Sequence, residues 1–171
     1  MTSTIPIPQG LDPADAYSQA PFVPQPVDEP LANDGWFPDI DLKALRDQYR
    51  IRDAVTAQRL REAALFALVA VNDDESLTAW AECQQAAGFT SLGAVPAKTL
   101  GGESRLTVLY RRAVGSEVRA LLIEGQRETD LTGAGQRAVS DLDPSIPELR
   151  RDRVHAIRDM LGKPRTTIDL I

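Results

Sequence analysis

The chain reads as an all-α protein, a helical bundle of about four main helices. An extended proline-rich arm precedes the bundle and an extended C-terminal tail follows it. Three observations carry this reading. The first 35 residues hold seven of the 12 prolines and five acids (Asp12, Asp15, Asp28, Glu29 and Asp34), with no Lys or Arg. Too little apolar surface is available there to form a core, and proline favours polyproline-type extension. After Gly35, apolar residues recur at helical spacing between recognisable caps. Beyond Gly162 and Pro164, the run Arg165-Thr166-Thr167-Ile168-Asp169-Leu170-Ile171 alternates and is β-branched, which suits an extended strand. The division is therefore arm 1–35, helical domain 36–163 and tail 164–171.

The elements follow in order. Asp39 or Asp41 caps a short helix through Leu42, Leu45 and Tyr49. Asp53 or Thr56 caps a long helix over 57–87, about 46 Å at 1.5 Å per residue. Its segment 63–71 is apolar all round and should be enclosed on most sides. Trp80, Cys83 and Ala87 would continue the face of Leu65 and Val69, unless the polar stretch 72–76 bends or breaks the helix. Gly88 ends it. A long connection over 88–103, with Pro96 and Gly101-Gly102, has the length of a functional or mobile loop. A third helix over 104–125 carries the stripe Leu106, Leu109/Tyr110, Ala113/Val114, Val118 and Leu121/Leu122. A short helix around 136–142 follows. Ser145-Ile-Pro-Glu148 is a capping box for the last helix. Its stripe is Val154, Ile157 and Leu161, and Gly162 takes the left-handed cap.

Charge and composition exclude several classes. Net charge is 19 − 25 = −6, and the arm's five acids account for −5. The body is nearly neutral, which argues against tight nucleic-acid binding but not against a surface that DNA passes. The single cysteine, Cys83, forbids an internal disulfide. No basic-plus-apolar leader is visible. The longest apolar run, 63–71, falls short of the ~18 residues a membrane span needs. The expectation is a soluble protein made in the cytoplasm, with no membrane partner.

Candidate chemistry is sparse. His155 lies among Arg151, Asp152, Arg158 and Asp159, which reads as an ordinary solvated helix face rather than a general base with its partner. Cys83 shares a face with Trp80 and reads as a buried, inert thiol. One His and one Cys cannot assemble a zinc site. Gly101-Gly102 and Gly133-Ala-Gly135 lack the rest of a phosphate loop. Arg150, Arg151, Arg153 and Arg158 could meet nucleic acid or an acidic partner, or could balance Glu148, Asp152 and Asp159 at helical spacing. Arg111, Arg112 and Arg119 pose the same choice. No nucleophile–base pair or carboxylate dyad stands out, so no catalytic residue, cofactor or metal is assigned.

Four stretches together resemble a known family. They are Trp36-Phe-Pro-Asp-Ile-Asp41, Asp53-Ala-Val-Thr-Ala-Gln-Arg-Leu-Arg61, Leu109-Tyr-Arg-Arg-Ala-Val114, and Ala156-Ile-Arg-Asp-Met-Leu-Gly162 with Pro164-Arg-Thr-Thr-Ile-Asp-Leu-Ile171. In this order they resemble the head-completion proteins of temperate contractile-tailed phages, within the wider head-to-tail connector or adaptor proteins. The resemblance spans residues 36–171 and leaves the arm outside. It implies a non-enzymatic virion protein without cofactor, a late product of virion assembly located in the neck. Such a protein forms a ring, a dodecamer, under the portal vertex, retains packaged DNA and offers a surface to tail or neck proteins. Double-stranded DNA passes through without sequence-specific contact.

Two site assignments join this reading. Arg165, Thr166, Thr167, Ile168, Asp169, Leu170 and Ile171 form an extended hook that can add to a strand edge of the portal protein. Trp36, Phe37 and Pro38 serve as an inter-subunit contact or as the arm's anchor, with a plain core role for Trp36-Phe37 as the simpler account. The alternatives are a small helical adaptor or regulatory protein that binds a single partner through the arm, and a carboxylate enzyme with no visible motif.

Overall fold

The computed structural model describes residues 30–129 and 145–164. Residues 1–29, the helix expected around 136–142 and the hook residues 165–171 lie outside the described residues. Within them the protein is all-α, with five α-helices: α1 (Leu42–Gln48), α2 (Ala57–Asn72), α3 (Glu75–Ala86), α4 (Arg105–Thr129) and α5 (Ile146–Met160). A 3-10 turn at Leu92–Ala94 and two short strands, β1 (Thr99–Leu100) and β2 (Glu103–Ser104), connect α3 to α4.

Four of the five helices, α1, α2, α3 and α5, start where a side-chain oxygen takes up free backbone N–H groups. Asp41 accepts from Lys43 and Ala44 at 2.9 Å each. Thr56 accepts from Arg59. Ser145 and Glu148 form the expected reciprocal box, with the Glu148 carboxylate accepting from the Ser145 N–H at 2.8 Å. That donor holds the Glu148 carboxyl below its ordinary 4.5.

The helix anticipated over 57–87 is broken at the polar stretch. Asp73 closes α2, and Asp74 is extended at φ −61°, ψ 117°, with its carboxylate accepting from Ser76 and Leu77. The Thr78 hydroxyl donates to the Asn72 carbonyl at 2.7 Å and satisfies the end of α2. The break re-aims everything downstream. Leu77 and Ala81 face inward on α3, Trp80 is half-buried and Cys83 is exposed, not buried.

The apolar segment 63–71 is likewise not enclosed. Ala63, Ala64, Ala67, Leu68 and Val71 pack inward, while Leu65, Phe66 and Val69 are exposed at 46, 59 and 57%. No element of the chain among the described residues covers that side. On α5 the buried face is Ile146, Leu149, Ala156, Ile157 and Met160. Val154, assigned to its stripe from sequence, is exposed, because the face that meets α4 is turned away from residue 154.

Helix α4 is the axis of the bundle. Residues 113–118 are buried without interruption, so the helix is covered on several sides at that level. Tyr110, Val114, Val118 and Leu122 belong to the core shared with α2. Ala120 meets Ile146 and Leu149 of α5. Tyr49, closing α1, lays its ring on Gly115. The stripe read from sequence on this helix is the buried one, except that Leu109 and Leu121 are only partly covered.

The connection over 88–103 is more ordered than a plain loop. β1 and β2 pair antiparallel, Thr99 with Ser104 and Leu100 with Glu103. Gly101 and Gly102 turn between them at φ +59° and +88°, the double positive φ that a two-residue hairpin requires and that favours glycine.

The last residues assigned to the arm belong to the body. Leu31 is buried and exchanges backbone bonds with Ile40 at 2.7 and 3.0 Å. Asp34 accepts from the N–H groups of Trp36 and Phe37. Asn33 donates to the Tyr110 hydroxyl at 2.8 Å, that hydroxyl donates to Asn72 at 2.6 Å, and Asn72 donates back to Asn33 at 3.0 Å. This closed ring of bonds ties the arm's base to the ends of α2 and α4.

Candidate assembly surfaces

The end of α5 is sharply defined. Gly162 sits at φ +66°. The Lys163 N–H closes on the Arg158 carbonyl at 2.9 Å and the Gly162 N–H on that of Asp159 at 3.4 Å, the paired bonds of a left-handed helix stop. The Arg158 guanidinium then donates twice to the Pro164 carbonyl, at 3.0 and 2.6 Å. Arg158 therefore orients the first residue of the tail, a role its place in an arginine-rich helix did not reveal. Arg105 donates to the Asp159 carbonyl at 3.0 Å and steadies the same turn.

At the other end of the chain, Trp36 and Phe37 are buried in the protein's own core, with Pro38 half-buried beside them. Trp36 donates through its indole N–H to the Phe89 carbonyl at 3.0 Å and meets Phe37 and Trp80 edge-on. Phe37 stacks on Tyr110 with ring centres 4.7 Å apart. These contacts fix Trp36 and Phe37 in the core beside the entry to α1.

The arginine rows resolve mostly into internal pairing across α4 and α5, not along one helix. Glu117, almost fully buried, accepts from Arg153 at 3.1 Å and lies 4.0 Å from Arg150. Arg150 also reaches Glu124 at 2.8 Å, and Arg112 reaches Asp152 at 3.3 Å. Arg111 bonds both oxygens of Glu103 at 2.8 Å. Cations so engaged do not form the free cationic track that a nucleic-acid binder presents.

An open groove of about 580 Å³ runs between Trp80 and Gln84 of α3, the segment from Val95 to Lys98, Arg105 and Leu106 of α4, and Met160 of α5. Its lining mixes apolar side chains with the polar Gln84, Lys98 and Arg105. It holds no acid–base pair of the kind proton transfer needs. His155 is half-buried on α5, away from this lining. Among the described residues no group of three His, Cys, Asp or Glu side chains is placed to hold a metal ion. Nor, among them, is any helix long and apolar enough to cross a membrane.

What the fold presents is contact surface: an exposed apolar stripe on α2 and a groove beside α3. This is the class of a structural assembly protein. The chain belongs to the phage head completion protein family (GPL), which it matches over residues 31–171. It is 38% identical over 151 residues, 87% of this chain and 88% of that protein, to the head completion/stabilization protein of Escherichia phage P2. No solved structure matches it. The match begins at Leu31, where the structure also places the start of the packed body. The protein is thus a non-enzymatic virion component with a head-completion and connector role.

Proposed function

We propose that the chain closes the filled head as a dodecameric ring bound to the portal protein, retaining the packaged DNA and offering its far side to tail or neck proteins. Synthesis takes place in the host cytoplasm. Double-stranded DNA passes the ring without sequence-specific binding. The observation that supports this reading is the family match over 31–171, which includes the tail, taken with the geometry at its exit. Helix α5 stops at Gly162 and Arg158 holds the Pro164 carbonyl, which supports a tail that does not continue the helix.

On this reading Arg165, Thr166, Thr167, Ile168, Asp169, Leu170 and Ile171 hook the portal by adding to an exposed strand edge, with Leu170 and Ile171 as apolar anchors. Repetition around the ring turns a weak contact into a strong one. Trp36, Phe37 and Pro38 act as the arm's anchor.

Negative-stain imaging of the protein with and without its portal tests the ring and its seat together. Deleting residues 166–171 tests the hook. Helix content and melting should stay nearly unchanged while portal binding collapses. Full portal affinity in the truncated protein would move the hook to the 88–103 connection or to the arm.

A further inference from the structure

Six large hydrophobic residues are exposed among the described residues, and five of them fall in two patches. The first is the α2 stripe. Glu62, Leu65, Phe66, Val69 and Asp73 recur at helical spacing on one face, about 16 Å from end to end. An exposed acid closes each end of the stripe, and neither Glu62 nor Asp73 has an ion pair among the described residues. The second patch joins the hairpin to the start of α4. Leu100, at 49% exposure, is paired with Glu103 across the hairpin, and cross-strand partners share a face. Glu103 bonds Arg111, which lies one turn beyond Val108, exposed at 36%. Lys98 lies two residues before Leu100, at the edge of the groove beside α3, and is exposed without an acidic partner among the described residues. Arg111 and Arg112 stand at the rim already paired with Glu103 and Asp152, which leaves Lys98 as the unpaired base of this rim among the described residues.

One face is thus apolar with acids at its ends, and the other apolar with bases at its rim. Scattered exposed apolar residues need no explanation, whereas a contiguous apolar set with a polar rim marks a contact surface. The two patches lie on different elements, so a contact between them joins unlike faces of two copies, and such a head-to-tail contact propagates. We propose that the acid-ended stripe of α2 on one copy packs against the base-rimmed patch of the hairpin and α4 on the next copy. Glu62 and Asp73 then meet the rim formed by Lys98, Arg111 and Arg112. The proposal rests on the ring reading above and names its two faces. Each patch is small, so the contact is weak for one pair and gains strength by repetition.

The test is sedimentation velocity of the full chain over a concentration series, with Phe66→Glu as the stripe variant and Val108→Glu as the patch variant. Both positions are exposed, so the fold should survive, and circular dichroism checks that it does. The wild type should self-associate as concentration rises. Each variant alone should lose at least tenfold in self-association. An equimolar mixture of the two should form a one-to-one complex and stop there, since each retains one intact face. Lys98→Glu should weaken association, and combining it with Asp73→Lys should restore much of it.

Either variant assembling like the wild type would overturn the assignment of that face while leaving the ring reading standing. A mixture that stays monomeric up to the highest concentration in the series would overturn the pairing of the two faces. A wild type that never self-associates yet binds portals and completes heads would remove the interface altogether, and one that also fails to bind portals would remove the ring reading with it.

Discussion

Tyr49 packs its hydroxyl-bearing edge against Gly115, so that a methyl group added there would clash with Cε2, Cζ and the hydroxyl oxygen. The Tyr49 hydroxyl donates to the Arg112 carbonyl at 3.2 Å, one turn earlier on α4. This contact fixes how closely α1 approaches the axis of the bundle. Glycine is needed here for space.

Gly115→Ala should therefore destabilise the protein by roughly 1–3 kcal/mol, the range for forced overpacking. Trimming the ring with Tyr49→Ala should lower stability on its own, yet the double variant should be clearly less unstable than the sum of the two. Urea titrations of the four proteins give the coupling. Strict additivity would mean that the ring moves aside freely.

Tyr110 is fully buried, and its hydroxyl both accepts from Asn33 and donates to Asn72. Removing that oxygen in Tyr110→Phe strands polar groups of both partners and should cost about 1–2 kcal/mol. Burial raises this phenol above its ordinary 10.0. The unfolded chain then loses the proton first, so the stability due to the neutral phenol is complete below pH 10.0 and is lost as pH rises from there through the folded pKa. Burial raises Tyr49 in the same direction. Stability measured across the alkaline limb should fall in the wild type and fall less steeply in Tyr110→Phe. Parallel slopes in the two proteins would contradict the assignment.

Glu117 is the buried member of the α4–α5 charge cluster, 5% exposed against 23% for Arg153 and 46% for Arg150. Glu117→Ala leaves the Arg153 guanidinium without its carboxylate and should destabilise by about 3 kcal/mol. Arg150→Ala, which removes an exposed partner, should cost under about 1 kcal/mol. Thermal or urea unfolding ranks the two, and equal losses would show that Glu117 draws its support from elsewhere.

Cys83 is exposed, and His155 sits half-buried, with no cluster that could hold a metal among the described residues. Cys83→Ser should leave melting unchanged and His155→Gln nearly so, and both proteins should complete heads in a complementation assay. Loss of head completion with normal melting in either variant would demand a chemical role that the family assignment does not include.

The features legible in the sequence were those governed by neighbours along the chain. The caps at Ser145 and at one of Asp39/Asp41 and one of Asp53/Thr56, the helix stop at Gly162 and the stripe of α4 depend on a few consecutive residues, and the structure selects Asp41 and Thr56. The all-α class followed from them. Four short stretches in order were enough to indicate the family. Other features were decided only when distant segments met. The break at Asp73-Asp74 was visible as a possibility, but where it turned Cys83 and Trp80 depended on α3 packing through Leu77 and Ala81. The two-residue strands around Gly101-Gly102 are too short to show a period. Leu31 and Asn33 looked like arm because their partners, Ile40, Tyr110 and Asn72, lie up to 77 positions away. An apolar run says that burial is favourable without saying what supplies the cover, so Leu65, Phe66 and Val69 could not be placed on an open face by composition. That depended on where α4 lies against α2, and packing between helices is set by side chains far apart in the chain.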